Sequence, residues 1–267
     1  MVSVSPDDIK RKVVRIVKPI GLIGGMSWES TVAYYRLMNE YVKKKRGGLH
    51  SAEIILYSVD FDEIEKYQRD NEWERASDTL IRAAQRVEKA GAALLILCTN
   101  TMHKLADQIA ASVRIPFLHI ADLTAQQIQR NGLHSVGLLG TKYTMEDDFY
   151  TSRLEKFGID VILPNQDDRN LIHRVIYEEL CLGKIERESK EQYKRVIRHL
   201  VAEGAKGIIL GCTEITLLVK QEDAAVPLFD TTAIHAMEAV KFALKEWIRG
   251  QMGDRLTVAV RCTIHSR

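Results

Sequence analysis

Two pairs of matching segments, set nearly the same distance apart, restrict what this chain can fold into. Ile20-Gly21-Leu22-Ile23-Gly24-Gly25-Met26-Ser27 parallels Val136-Gly137-Leu138-Leu139-Gly140-Thr141-Lys142-Tyr143, and Leu94-Leu95-Ile96-Leu97-Cys98-Thr99 parallels Gly207-Ile208-Ile209-Leu210-Gly211-Cys212. The offsets are 116 residues between Gly24 and Gly140 and 113 between Thr99 and Cys212. Near agreement of two offsets points to two pseudo-equivalent lobes facing each other across a cleft. Each match is a short apolar run closed by glycine or polar residues, the pattern of a buried parallel strand. Such strands deliver whatever follows them to the carboxyl edge of a sheet, where open α/β sheets bind ligands.

The rest of the chain keeps the alternation that a parallel α/β fold requires. Strand-like runs at Val14–Leu22, Glu53–Val59, Ala92–Leu97, Val136–Leu139, Val161–Leu163 and Gly207–Leu210 are separated by charged, helical stretches. These helical stretches are Ser30–Lys45, Glu72–Ala90, His103–Ser112, Glu146–Phe157, Asn170–Leu182 and Lys190–Gly204. The expected organisation is an extension at 1–18, a first lobe at 19–115, a second lobe at 116–228, a return helix at 229–249 packing on the first lobe, and a tail at 250–267. The tail, GQMGDRLTVAVRCTIHSR, reads equally as an edge strand or as a disordered end.

With 38 basic and 36 acidic residues, the net charge of +2 gives a polyanion nothing to bind, so no nucleic-acid partner is expected. No apolar run approaches the length of a membrane span, and the amino terminus has no apolar signal core. The expected location is the cytoplasm. Cys98, Cys181, Cys212 and Cys262 are too few for a disulfide framework and lack C-x-x-C spacing, and the eight histidines form no H-x-x-x-H pair. No metal is expected.

Chemistry-bearing residues collect at the strand ends. Gly24-Gly25-Met26-Ser27 could bring backbone N–H groups toward an anion such as a carboxylate, but no Lys-Ser or Lys-Thr follows to make a P-loop, and G-x-G-x-x-G is absent. Asn100, Thr101, Thr141, Tyr143, Thr144, Thr213 and Glu214 all follow apparent strands. Together they offer clamps for the amino and carboxylate groups of a small polar ligand, while each alone reads as a helix cap. His103 reads as a solvated or capping residue, and His119 and His235 as satisfied core residues. Trp28, Trp73 and Trp247 read as packing anchors, Cys181 as a small buried hydrophobe and Cys262 as an incidental tail thiol.

These segments resemble the aspartate/glutamate racemase family of cofactor-independent amino-acid racemases. The motifs are GGMSWEST at 24–31, GGLHSA at 47–52, SVDF at 58–61, CTNTMHK at 98–104, PFLHIAD at 116–122, LLGTKYTME at 138–146, EELCLG at 178–183, GCTEI at 211–215 and FDTTAIHA at 229–236. They are most similar to the enterobacterial subgroup acting on L-aspartate and L-glutamate. The resemblance implies two α/β lobes, each a mainly parallel sheet flanked by helices, an interlobe active site, no cofactor, a small amino-acid substrate and a homodimer.

The family pattern has C-N-T in one lobe and G-C-T in the other, with the cysteines on opposite faces of the substrate. Here C-T-N-T puts Thr99 at the first acid/base position and Cys212 at the second. Strand periodicity agrees, because neighbouring side chains point to opposite faces, so Cys98 becomes a core residue if the strand runs that far. By the same resemblance, Met26, Gln68, Thr99, Asn100 and Thr101 match substrate contacts, and Cys212 is the base for the L-enantiomer. A thiol must lose about 1.5 pKa units to be half ionised at neutral pH, and a threonine hydroxyl ionises far less readily, so directional bias is expected. Two rival readings stay open: a racemase of neutral amino acids such as homoserine, and a non-catalytic amino-acid-binding module.

Overall fold

The computed structural model describes residues 18–244. The expected extension and tail, with Trp247 and Cys262, lie outside them except for Lys18. Two parallel sheets form, each flanked by helices. The first has the order β2-β1-β3, built from β1 (Ile20–Gly24), β2 (Ile54–Ser58) and β3 (Leu94–Leu97). The second has the order β5-β4-β6-β7, built from β4 (Ser135–Gly140), β5 (Asp160–Ile162), β6 (Ile208–Gly211) and β7 (Leu228–Asp230). β1 and β4 hold the same inner place in the two sheets and β3 and β6 flank them alike, as the sequence match requires. Lobe equivalence extends to packing: a side chain at Gly21 would collide with Val87 and one at Gly137 with Ile208 and Leu200.

The helices are α1 (Trp28–Arg46), α2 (Phe61–Arg69), α3 (Trp73–Lys89), α4 (Ala106–Ala111), α5 (Ile120–Arg130), α6 (Lys142–Glu146), α7 (Asp148–Glu155), α8 (Gln166–Glu178), α9 (Arg187–Ala202), α10 (Ile215–Leu218) and α11 (Thr231–Ala243). Several starts are capped as their sequences dictate: Ser27 Oγ accepts from Ser30 N, Asn165 Oδ1 from Asp168 N, and Asp230 Oδ1 from Thr232 N and Ala233 N.

Period-two alternation divides the first lobe's core. Leu94, Ile96 and Cys98 face a layer formed by Tyr34, Met38 and Val42 of α1 and Ala236, Ala239, Val240 and Ala243 of α11. Leu95 and Leu97 face Leu80, Ala83, Ala84 and Val87 of α3. The second lobe has one continuous core that runs from Ile120 to Ile234. α11 packs against both α1 and α5. Phe117 bridges in parallel to Leu95, so the segment after α4 still belongs to the first sheet's edge.

Helix α2, which the sequence reading did not assign, buries Ile64, Tyr67 and Gln68. Two expectations need correction. Trp28 is 64% exposed among the described residues, not a buried packing anchor. His103 is buried at 2% exposure rather than solvated, and it serves as a cap only by accepting from Ile120 N at the start of α5.

Candidate active site

The cleft between the sheets' carboxyl edges is a narrow cavity of about 30 Å3, lined by Met26, Gln68, Thr99, Asn100, Thr101, Thr141, Cys212, Thr213 and Glu214 among others. Nine of the eleven residues singled out from the sequence therefore share one cavity. Tyr143 and Thr144 do not line it: Thr144 is fully buried behind Thr101 and Thr141, and Tyr143 packs edge-on against Trp73. Ser27, Ser30, Phe61, Ile176, Tyr177 and Cys181 also line the cleft. The serines stood in the 24–31 motif, but nothing local marked them as facing the other lobe.

At the first lobe's strand end, Cys98 is sealed in the core and burial pushes its thiol far up, while Thr99 reaches the cleft. His103 holds the Thr99 peptide. Its Nε2 accepts from Ile120 N at 3.2 Å, which leaves the proton on Nδ1 to be donated to Thr99 O at 2.7 Å. Burial, then His235, holds His103 well below the ordinary imidazole range, so it is neutral. Burial, then His103, does the same for His119, whose Nδ1 caps α5 by accepting from Ala121 N. His235 donates from Nε2 to Leu118 O and accepts at Nδ1 from Tyr34, a satisfied core residue as expected.

Asn100 Nδ2 donates to Thr231 Oγ1 at 3.1 Å, and Thr231 Oγ1 donates to Leu210 O, which fixes the amide's orientation. Its Oδ1 is then a buried acceptor with no partner among the described residues. Thr101 and Thr141 hydroxyls meet across the lobes at 3.0 Å. Gln68 is tied within the protein, its Nε2 on Met102 Sδ at 2.8 Å and its Oε1 accepting from Tyr177 at 3.3 Å. The glycine turn offers less than its sequence suggests: Gly25 has φ +95°, and its N–H is spent on Thr31 Oγ1 at 2.8 Å.

At the second lobe's strand end, the Cys212 thiol donates to Glu214 Oε2 at 2.9 Å. Glu214 Oε1 accepts from Ser27 Oγ at 2.7 Å and Ser30 Oγ at 2.8 Å, both from the first lobe. Burial first, then the Glu214 carboxylate and Cys181, push the Cys212 thiol well above its ordinary range. This is the reverse of the lowering that the sequence argument required of a standing thiolate. Cys181, read as an isolated buried hydrophobe, lies in the cleft wall near Glu214, and burial is the main cause of its own raised thiol. No lysine, arginine or histidine lines the cleft among the described residues. None of these residues forms a group of three or more His, Cys, Asp or Glu side chains that could hold a metal ion, and no helix of theirs is long and apolar enough to cross a membrane.

A model of the Asp/Glu/hydantoin racemases matches residues 23–239. A broad-specificity amino-acid racemase of Bacillus subtilis, RacX, is 24% identical over 83% of this chain and 96% of its own length. Among solved structures, a Yersinia pestis protein assigned as an Asp/Glu racemase is 58% identical, covering 85% of this chain and 100% of that one, with a TM-score of 0.81. An aspartate racemase homologue from Pyrococcus horikoshii is 38% identical over 85% of this chain and 99% of that one, with a TM-score of 0.75.

Proposed function

Because this chain belongs to the Asp/Glu/hydantoin racemase family of isomerases, we propose that it interconverts the L- and D-forms of a small amino acid, Thr99 and Cys212 serving opposite faces of the α-carbon without a cofactor. One observation carries the reading: residues from equivalent strand ends of the two lobes, a hydroxyl and a thiol, open on the same cavity. Racemisation needs a base on one face and a proton donor on the other, and a pseudo-symmetric cleft supplies two such places.

The substrate's ammonium group finds an acceptor in Asn100 Oδ1, whose lone pairs are otherwise unused. Its carboxylate finds hydroxyl donors in Thr101 and Thr141. Cys212 takes the α-proton of the L-enantiomer, and the Thr99 hydroxyl delivers or relays a proton on the other face. Because threonine is the poorer base, kcat for the D-enantiomer is the lower of the two. Enantiomers equilibrate near one to one, so KM falls in step and the two kcat/KM values stay equal.

Aspartate and glutamate are the first substrates to test, by the family. A second reading, racemisation of neutral amino acids such as homoserine, is favoured by the cleft wall itself. Among the described residues it carries the Glu214 carboxylate and no cation, so a side-chain carboxylate would enter without a counter-charge from them and against a like one. The broad specificity of the B. subtilis relative agrees with this second reading. Incubation with each L- and D-amino acid in deuterium oxide, followed by chiral chromatography and mass measurement, decides among them. Exchange at the α-carbon with acidic or neutral substrates supports racemisation and names the class. Binding without exchange identifies an amino-acid-binding module instead.

A further inference from the structure

Glu214 stood out in the sequence only as a polar residue after a strand, a candidate ligand clamp. Its carboxylate is instead consumed by the protein. Oε1 takes two hydroxyl donors from Ser27 and Ser30, and Oε2 takes the Cys212 thiol. Glu214 is 5% exposed and the serines 5% and 2%, so this group is shielded from bulk water. Ser27 is itself fixed: its Oγ accepts from Ser30 N and its carbonyl accepts from Thr31 Oγ1. A carboxylate gripped at one oxygen, with the other aimed at a thiol, is arranged like the base of a nucleophile–base pair.

Among the described residues, the titratable groups facing the thiol are Glu214, Cys181 of the turn after α8, Tyr177 of α8 and Tyr193 of α9. None is a cation that could stabilise a resting thiolate. The thiol must hand its proton to a neighbour, and Oε2 at 2.9 Å is within reach.

We propose that Glu214 is the proton acceptor for Cys212, with Ser27 and Ser30 of the opposite lobe fixing the carboxylate for the transfer. The proposal rests on the reading of Cys212 as the group that works on the α-carbon. In the step, the S–H bond breaks, its proton forms an O–H bond on Oε2 and the electron pair stays on sulfur. The thiolate then takes the α-proton, the C–H pair remaining on the carbon until the Thr99 face supplies a new proton. The Cys212–Glu214 pair now holds one extra proton and the Thr99 hydroxyl lacks one, so the pair returns a proton to solvent and Thr99 takes one from it before the next turnover. Glu214 acts through Cys212 and is a positioning residue.

The test uses the full chain with Glu214→Gln, Glu214→Asp and the double variant Ser27→Ala/Ser30→Ala, each checked for folding by circular dichroism. Two quantities are followed against pH: α-deuterium exchange of the substrate, and alkylation of Cys212 by iodoacetamide, read peptide by peptide so that Cys98 and Cys181 do not interfere. With Glu214→Gln, exchange kcat should fall about 100-fold with little change in KM. Its pH profile should change from flat to rising with pH, since the proton must now leave to solvent. Alkylation of Cys212 in the substrate-free cleft, where the thiol can lose its proton directly to solvent, should meanwhile become about tenfold faster at neutral pH, because the like charge that opposes the thiolate is gone. Glu214→Asp should keep the flat profile, and the serine double variant should show a smaller loss of kcat.

Opposite movement of turnover and thiol reactivity is something a merely structural role would not produce. Equal loss of both, or unchanged alkylation in Glu214→Gln, overturns the proposal. If wild-type protein exchanges no substrate, the proposed function fails, and the alkylation profiles alone still decide whether Glu214 controls the Cys212 proton.

Discussion

At the end of β3 a thiol turns into the layer between sheet and helices, while at the equivalent end of β6 a thiol opens on the cleft and meets a carboxylate. A shift of one residue separates the two. C-T-N-T places Cys98 in step with Leu94 and Ile96, so Thr99 takes the place that Cys212 holds in the other lobe. Even numbers of residues along a strand keep a side chain on the same face, and a single step reverses it. The lesson is that a repeated fold conserves where a side chain is presented without conserving what is presented. Around these ends the surroundings differ as well, with three neutral buried histidines near the first and an acidic partner at the second.

The sharpest attack on the comparison is Cys212→Ser against Cys98→Ser. The first should lower α-deuterium exchange by about 1000-fold or more, and the second should leave it close to wild type; the reverse pattern would dissolve the assignment of the two ends. Next comes Thr99. Thr99→Ala should reduce racemisation by roughly 100-fold, and Thr99→Cys should bring the kcat values for the two enantiomers closer together. If Thr99→Ala keeps both rates, water or another side chain serves the first face.

Acid should expose the histidines near the first end. Burial lowers His235 from 6.5 to about 4 and takes His103 and His119 down as well. A depressed folded-state pKa means that the unfolded chain gains protons first. The stability these groups contribute is therefore complete above about pH 6.5 and lost as pH falls through the folded values. His235 alone accounts for about 3 kcal/mol across that window. Urea denaturation between neutral and mildly acidic pH should show the fall, and His235→Gln should blunt it.

Two smaller changes compare the lobes as packing rather than chemistry. Gly21→Ala sets a Cβ 2.4 Å from Val87 Cγ1 and 2.9 Å from the Leu94 carbonyl, whereas Gly137→Ala meets mainly the tips of Ile208 and Leu200 at 2.7 and 2.9 Å. The first should cost about 2–3 kcal/mol and the second less, since flexible ends can yield and backbone cannot. Equal denaturation midpoints would show that β1 moves as freely as β4. Cys98→Ala should cost only about 1 kcal/mol by the same measurement.

What the sequence disclosed follows the range of the forces involved. The register that buries Cys98 and bares Thr99 is local, set by side-chain alternation, and was readable. So were the paired strand ends, because a repeat displays itself along the chain. The serines beneath Glu214 were not, since they meet it from 187 and 184 residues away. No periodicity encodes that encounter. His103 misled because a histidine at a helix start ordinarily meets water, and only docking of the second lobe supplies Ile120 N as its donor. Helix α5 escaped notice because its cap is His119, a residue type seldom used to start a helix. Strand β7 runs directly into the helix that begins at Thr231, so no turn residues set it apart from the return helix expected at 229–249.

The return of α11 to α1 has a consequence for the order in which this molecule can be made. One face of the first sheet, with Ile20, Leu22, Ile96 and Cys98, is covered in part by Ala236, Ala239, Val240 and Ala243. During synthesis those early strands leave the ribosome long before their cover exists. The first lobe must therefore wait, with apolar surface bared, until the second has been translated, so the amino-terminal half is completed last.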